Sequence, residues 1–246
     1  MKYSFSDFLD IVARLRGEGG CPWDREQTHK SLKKYLIEEA YEAADAIEGE
    51  DDGQIIDELG DVLLQVALHA QIAKEEGRFD ITDIIDGISK KMIRRHPHVF
   101  SDVCVKNSDE VLKNWEQIKK EEKGQKTISQ TMKEISKGLP AIMKAQKILS
   151  KAQKAGLGKL QKDEILDNII DIVENIRKNG EDHTLYGKLL FEAAALCEAE
   201  SLAAEEEIAK INKKFIDSFN FLEYNYNISG DIRKNLSQLT HSVLIK

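Results

Sequence analysis

LIEEAYEAADAIEGEDDGQIIDELGDVLLQVALHAQ, residues 36–71, is the stretch whose reading decides the fold. Leu36, Ala40, Ala43 and Ile47 recur at helical spacing, and GEDDG, Gly49 to Gly53, breaks the pattern. A second, more apolar run follows the break. The spacing predicts one helix from about His29 to Ile47 and another from about Ile55 to Glu76, folded back on each other as a hairpin. Gly77 ends the second helix.

Outward from the hairpin the pattern stays helical. Ser6 to Arg16 forms a short first helix, followed by a loop through Gly17, Gly19, Gly20, Cys21 and Pro22. Ile81 to Arg95 gives another helix before HPHVF, and Lys106 to Glu122 a charged one carrying Trp115. Residues 123–138, rich in Lys, Gln, Ser and Thr, read as a linker. Beyond it, ILDNIIDIVENIRKNGEDHTLYGKLLFEAAALCEAE from Ile165 echoes the opening stretch as helix, Gly-containing turn and apolar helix. The expected fold class is all-α, with two homologous helical domains at 1–122 and 139–246. Phe221 to Lys246 carries no clear signal.

Composition agrees with this architecture. The chain has 246 residues, 41% hydrophobic, 33% charged and with three prolines, the balance of a soluble helical protein. MKYSFSDFLDIVARL lacks the basic run, apolar block and cleavage site of a signal peptide, so a cytoplasmic location is expected. The most apolar segment, Val62 to Ala73, is interrupted by Gln65, His69 and Gln71 and falls short of the roughly 20 residues of a membrane span. Cys21, Cys104 and Cys197 match neither a disulfide framework nor a zinc site and read as free thiols. A net charge of −8 argues against binding a nucleic-acid polymer, which needs cations to replace phosphate counterions. A small phosphorylated ligand stays open if a metal supplies the positive charge.

The acidic residues of the hairpin supply that option. Glu38, Glu39 and Glu42 form EExxE before the turn, and Glu58 and Asp61 form ExxD after it. Residues three or four apart share a helix face, so Glu39 with Glu42, and Glu58 with Asp61, each present two carboxylates to one point. Counted from Asp51, the first pair lies 9 to 12 residues before the turn and the second 7 to 10 after it. At ~1.5 Å per residue both reach similar heights in an antiparallel hairpin. Carboxylates so gathered repel unless a hard cation sits among them, and oxygen ligands suit Mg²⁺ or Mn²⁺. The competing reading is a solvated acidic face, the ordinary fate of charged residues. Against it, Glu39 lies only about 60° from Leu36 on the helical wheel, at the edge of the apolar stripe. The second helix is apolar nearly all round, with Glu58, Asp61, Gln65 and His69 as its one polar stripe. From the residues alone, metal site and solvated face remain two open readings.

The sequence resembles the MazG family of nucleotide pyrophosphohydrolases. CPWDREQTHKSLKKYLIEEAYEAADAI from Cys21, DELGDVLLQVALHAQ from Asp57, KMIRRHPHVF from Lys91 and NWEQIKKEEK from Asn114 are similar to that family's N-terminal domain in order and spacing. GLPAIMKAQKI from Gly138 is similar to the start of its second domain. The resemblance implies two tandem all-α domains whose bundles are completed by dimerisation. It implies Mg²⁺-dependent conversion of nucleoside triphosphates to monophosphates and pyrophosphate, with broad or non-standard base preference. It implies Glu39, Glu42, Glu58 and Asp61 as metal ligands, leaving Glu38 to orient or deprotonate the attacking water. Lys91, Arg94 and Arg95 match a basic cluster that faces the triphosphate, and Trp115 matches a Trp near the base. Trp23 is read as a packing residue, and His96 and His98 as structural.

The second half departs from that pattern. Asp167, Asn168 and Asp171 stand where EExxE is expected, Leu185 and Lys188 where ExxD is expected, and Asp217 and Ser218 where the arginines would be. Leu offers no oxygen and Lys brings the wrong charge, so this domain reads as catalytically silent. Two alternatives to the main reading are a hydrolase of another phosphoanhydride, such as dUTP, phosphoribosyl-ATP or guanosine tetraphosphate, and a non-catalytic helical module that binds nucleotide or a protein.

Overall fold

The structure, a computed structural model, describes residues 2–122, 124, 127–156 and 158–226. The end of the sequence beyond residue 226, part of the stretch without a clear signal, lies outside the described residues. All regular elements among the described residues are helices, as the periodicity predicts. The chain divides into two compact units, Met1–Glu122 and Lys123–Lys246.

The first unit holds α1 (Phe5–Arg16), α2 (Pro22–Glu26), α3 (His29–Gly49), α4 (Asp52–Glu75), α5 (Ile81–Arg95), α6 (Pro97–Phe100) and α7 (Ser108–Glu122). Helices α3 and α4 pack along each other as the predicted hairpin. Their boundaries have local causes. Thr28 and Ser31 form a reciprocal capping box at the start of α3, and Asp51 caps α4 by accepting from Gly53 N (2.8 Å) and Gln54 N (3.2 Å). Between them Glu50 turns the chain with a left-handed backbone, φ 55°, a conformation that favours glycine. The short helices α2 and α6, absent from the sequence reading, each start with proline at a first-turn position where its missing N–H costs nothing.

The core of this unit lies where α1, the start of α3 and the second half of α4 meet. Val12, Leu32, Ala67, Leu68 and Ile72 are buried there, with Phe8, Leu9, Tyr35 and Leu64 packed around them. Burying each of the larger side chains contributes about 1.5–3 kcal/mol. Arg16, its side chain only 6% exposed, ties the layers together. It bonds Glu75 of α4 at 2.8 Å and donates to the carbonyls of Asp24 and Gln27. Gly20 permits the tight turn after α1, since a Cβ there would fall 2.3 Å from the Leu15 carbonyl oxygen.

The second unit holds α8 (Ile128–Lys133), α9 (Ala141–Lys154), α10 (Lys162–Lys178), α11 (Thr184–Ala199) and α12 (Ala204–Tyr226). The polar stretch expected as a linker at 123–138 therefore contains a helix. Thr127 and Gln130 cap α8 reciprocally, and Ile135 just after it is buried. Helices α10 and α11 pack as a second hairpin. The Gln146 side chain fastens α9 to the entry of α12 by donating to Leu202 O and accepting from Ala204 N, both at 2.8 Å. No helix among the described residues is long and apolar enough to cross a membrane.

Candidate functional site

The α3–α4 hairpin brings the acidic motifs together. Glu39, Glu58 and Asp61 each place a carboxylate oxygen within 4.8 Å of the others. Glu42, one turn beyond Glu39 on α3, is not part of this triplet but lies near enough to act on the Glu39 carboxyl. The Glu39 carboxyl is held above its ordinary range by desolvation, then by repulsion from Asp61 and Glu42. Desolvation, then Glu42, Asp61 and Asp57, push Glu58 the same way. Glu38, adjacent in sequence and exposed, adds to the repulsion on Glu39. Carboxylates crowded in this way repel one another, and a cation placed among them would relieve the repulsion. The donor set is oxygen only, on two helices, and fits a hard divalent cation.

The polar stripe of α4 continues below this cluster. Gln65, one turn from Asp61, is 5% exposed and its Oε1 has no hydrogen-bond partner among the described residues. His69, two further turns from Asp61, meets His29 of α3, with the two Nδ1 atoms 2.7 Å apart and the rings stacked at 4.9 Å. One ring must donate and the other accept, so the bond needs one of them neutral at that nitrogen. Desolvation, then His29, lower the His69 pKa. Arg78 contacts the other nitrogen of His29.

The basic residues form a second cluster. Arg95 donates from Nη2 to Glu122 Oε2 at 2.6 Å and from Nε to both carboxylate oxygens at 3.2 Å. Arg94 Nε donates to Glu122 Oε1 at 2.6 Å. Hydrogen bonds from Arg95, then Arg94, lower the Glu122 carboxyl to about 2. Trp115 is flanked by the Arg95 guanidinium, 5.6 Å from the ring centre, and by Lys119, 4.4 Å away. Lys91 lies one turn before Arg95 on α5, half-buried. Arg94, Pro97, Ile118, Glu121 and Glu122 line an open hollow of about 620 Å³. Among the described residues no hydrogen bond or ion pair joins this cluster to the acidic one.

Sequence reasoning did not find Glu122 or His29. Nothing local marks either, since their partners stand 27, 28 and 40 positions away. Trp23 meets Tyr35 edge-on at 5.9 Å yet stays half exposed. His96 bonds the Met92 carbonyl at 2.7 Å, a role within its own helix end. In the second unit Leu185 is buried, while Asp167, Asn168, Asp171 and Lys188 are exposed. Among the described residues of that unit no group of carboxylates converges as in the first.

Comparison with known proteins bears on the same segment. The profile of the MazG nucleotide pyrophosphohydrolase domain matches residues 27–100. The chain is 60% identical over 109 residues to the uncharacterized protein YabN of Bacillus subtilis, covering 44% of this chain and 22% of that protein. It is 56% identical over 98 residues to the nucleoside triphosphate pyrophosphohydrolase/pyrophosphatase MazG of Thermotoga maritima, 40% of this chain and 38% of the relative. It is 55% identical over 104 residues to a nucleoside triphosphate pyrophosphohydrolase of Escherichia coli K12, 42% of this chain and 40% of the relative. The chain thus spans well under half the length of these relatives.

Proposed function

We propose, from the match of residues 27–100 to the MazG nucleotide pyrophosphohydrolase domain, that the chain hydrolyses nucleoside triphosphates to monophosphate and pyrophosphate, using Mg²⁺ or Mn²⁺, with residues 1–122 as the catalytic domain. The convergence of Glu39, Glu58 and Asp61 within 4.8 Å carries this reading. Glu39, Glu42, Glu58 and Asp61 would hold the cation. When bound, it neutralises charge on phosphate oxygens and polarises the phosphoryl group. Glu38 takes the proton of the attacking water, whose oxygen bonds to phosphorus as the α–β anhydride bond breaks. Lys91, Arg94 and Arg95 hold the oxygens of the departing pyrophosphate, bidentate for arginine. Trp115 offers a ring face to the base, which stacking accepts without selecting it.

The functional unit is a homodimer or larger. What supports this is an apolar face on the hairpin: Ile56, Leu59 and Leu63 of α4, and Ile37 and Tyr41 of α3, are exposed at helical spacing. The protein works in the cytoplasm, and the second unit is a MazG-like domain kept for packing or assembly rather than chemistry. The test is incubation of standard and damaged triphosphates with Mg²⁺ and separation of products by anion exchange. Monophosphate plus pyrophosphate is expected. Diphosphate plus phosphate, or binding without turnover, rejects the reading, and turnover restricted to another phosphoanhydride reassigns the substrate.

A further inference from the structure

Glu122 stands at the C-terminal end of α7, where the helix macrodipole disfavours a negative charge. Arg94 and Arg95 hold it there. The carboxylate spans Nε and Nη2 of Arg95, the same fork with which a guanidinium takes two phosphate oxygens. The side chains of Arg95 and Glu122 are 15% and 16% exposed while that of Arg94 is 56% exposed, so with Glu122 in place the Arg95 half of the fork is covered and the Arg94 half is open. Glu122 also borders the hollow lined by Arg94, Pro97, Ile118 and Glu121, which leaves it space to swing away.

We propose that Glu122 is an internal competitor for the triphosphate: its carboxylate fills the Arg94–Arg95 fork, and the polyphosphate binds by displacing it. The inference rests on the reading of Arg94 and Arg95 as phosphate-binding residues. Its consequence is quantitative. The apparent dissociation constant of a ligand that uses the fork equals the intrinsic one divided by the fraction of molecules in which Glu122 has released it. Every such ligand is weakened by the same factor, and a ligand that binds elsewhere, such as Mg²⁺ alone, is untouched. Glu122 thereby sets the triphosphate concentration at which the enzyme begins to work.

The experiment compares wild type, Glu122→Gln, Glu122→Asp, Arg94→Ala, Arg95→Ala and the Arg95→Ala/Glu122→Gln double variant, each checked for helical circular dichroism. Calorimetry measures binding of inorganic tripolyphosphate and, separately, of Mg²⁺, and steady-state assays give KM. Glu122→Gln is expected to tighten tripolyphosphate and lower KM by about tenfold with Mg²⁺ affinity unchanged. The double variant should gain less over Arg95→Ala than Glu122→Gln gains over wild type, because only Arg94 is left to uncover. Glu122→Asp keeps the charge but reaches less far, so it should tighten binding by a smaller factor, and it decides the question if the Gln variant does not fold. Unchanged or weaker tripolyphosphate binding in the folded Glu122 variants, with affinity lost in the arginine variants, overturns this proposal alone, because Glu122 then orients the arginines. Wild-type tripolyphosphate affinity in both Arg94→Ala and Arg95→Ala removes the phosphate role of the fork and the proposal with it.

Discussion

Glu39 and Glu58 carry carboxyls held above their ordinary range by desolvation and by neighbouring acids, and this fixes how the protein responds to metal and pH. A carboxyl whose pKa rises on folding favours the fold while protonated, and that contribution is lost as pH climbs from the unfolded value of 4.5 through the higher folded value. A divalent cation bound among the carboxylates reverses the loss. The difference in Tm between Mg²⁺-loaded and EDTA-treated protein should therefore be small near pH 4.5 and grow as pH rises to 8, read by thermal circular dichroism. A difference independent of pH would mean that the cation binds elsewhere. Glu42→Gln and Asp61→Asn each remove one anionic oxygen without changing shape. Each is expected to cut turnover by more than about a hundredfold, the upper range for losing an outer-shell partner of a metal, while leaving the helical spectrum intact. Full turnover in either variant, or in EDTA, would sink the metal assignment.

At the scale of elements, the cap of α4 determines where its carboxylates stand. Asp51→Ala should cost about 1 kcal/mol in urea unfolding and weaken Mg²⁺ binding, because Glu58 and Asp61 lie in the second and third turns of the helix it starts. Leu32, fully buried between α1, α3 and α4, is expected to cost about 2–5 kcal/mol when changed to Ala. These elements were legible in the sequence because helical periodicity and the GEDDG break are local signals. Gln65 and His69 stood out for the same reason, as polar residues on a helix otherwise apolar all round. Helix α8 was not read, although Thr127 and Gln130 stand at capping-box spacing, because its surroundings are polar enough to resemble a linker. The pairings of Glu122 with the arginines and of His29 with His69 were beyond the sequence, since each depends on helices packing across tens of residues.

For the whole molecule, the contrast between the two hairpins is chemical as well as geometric. Asp171→Ala is expected to leave turnover per chain unchanged, since Asn168, Leu185 and Lys188 stand at the other three positions where matching ligands would be needed. If Glu42→Gln retained substantial activity that Asp171→Ala then removed, the second unit would be the catalytic one. Two residues, Glu50 and Asp51, separate α3 from α4, whereas five, 179–183, separate α10 from α11. One residue inserted in α4 between its Asp51 cap and Glu58 would shift Glu58 and Asp61 by ~1.5 Å along the helix and turn them by ~100° about its axis, carrying them away from Glu39. The stretch from Asp51 to Glu58 therefore acts as a ruler for the site. Among the described residues the second hairpin has no converging carboxylates to keep in register, so one residue inserted between α10 and α11 should leave turnover unchanged.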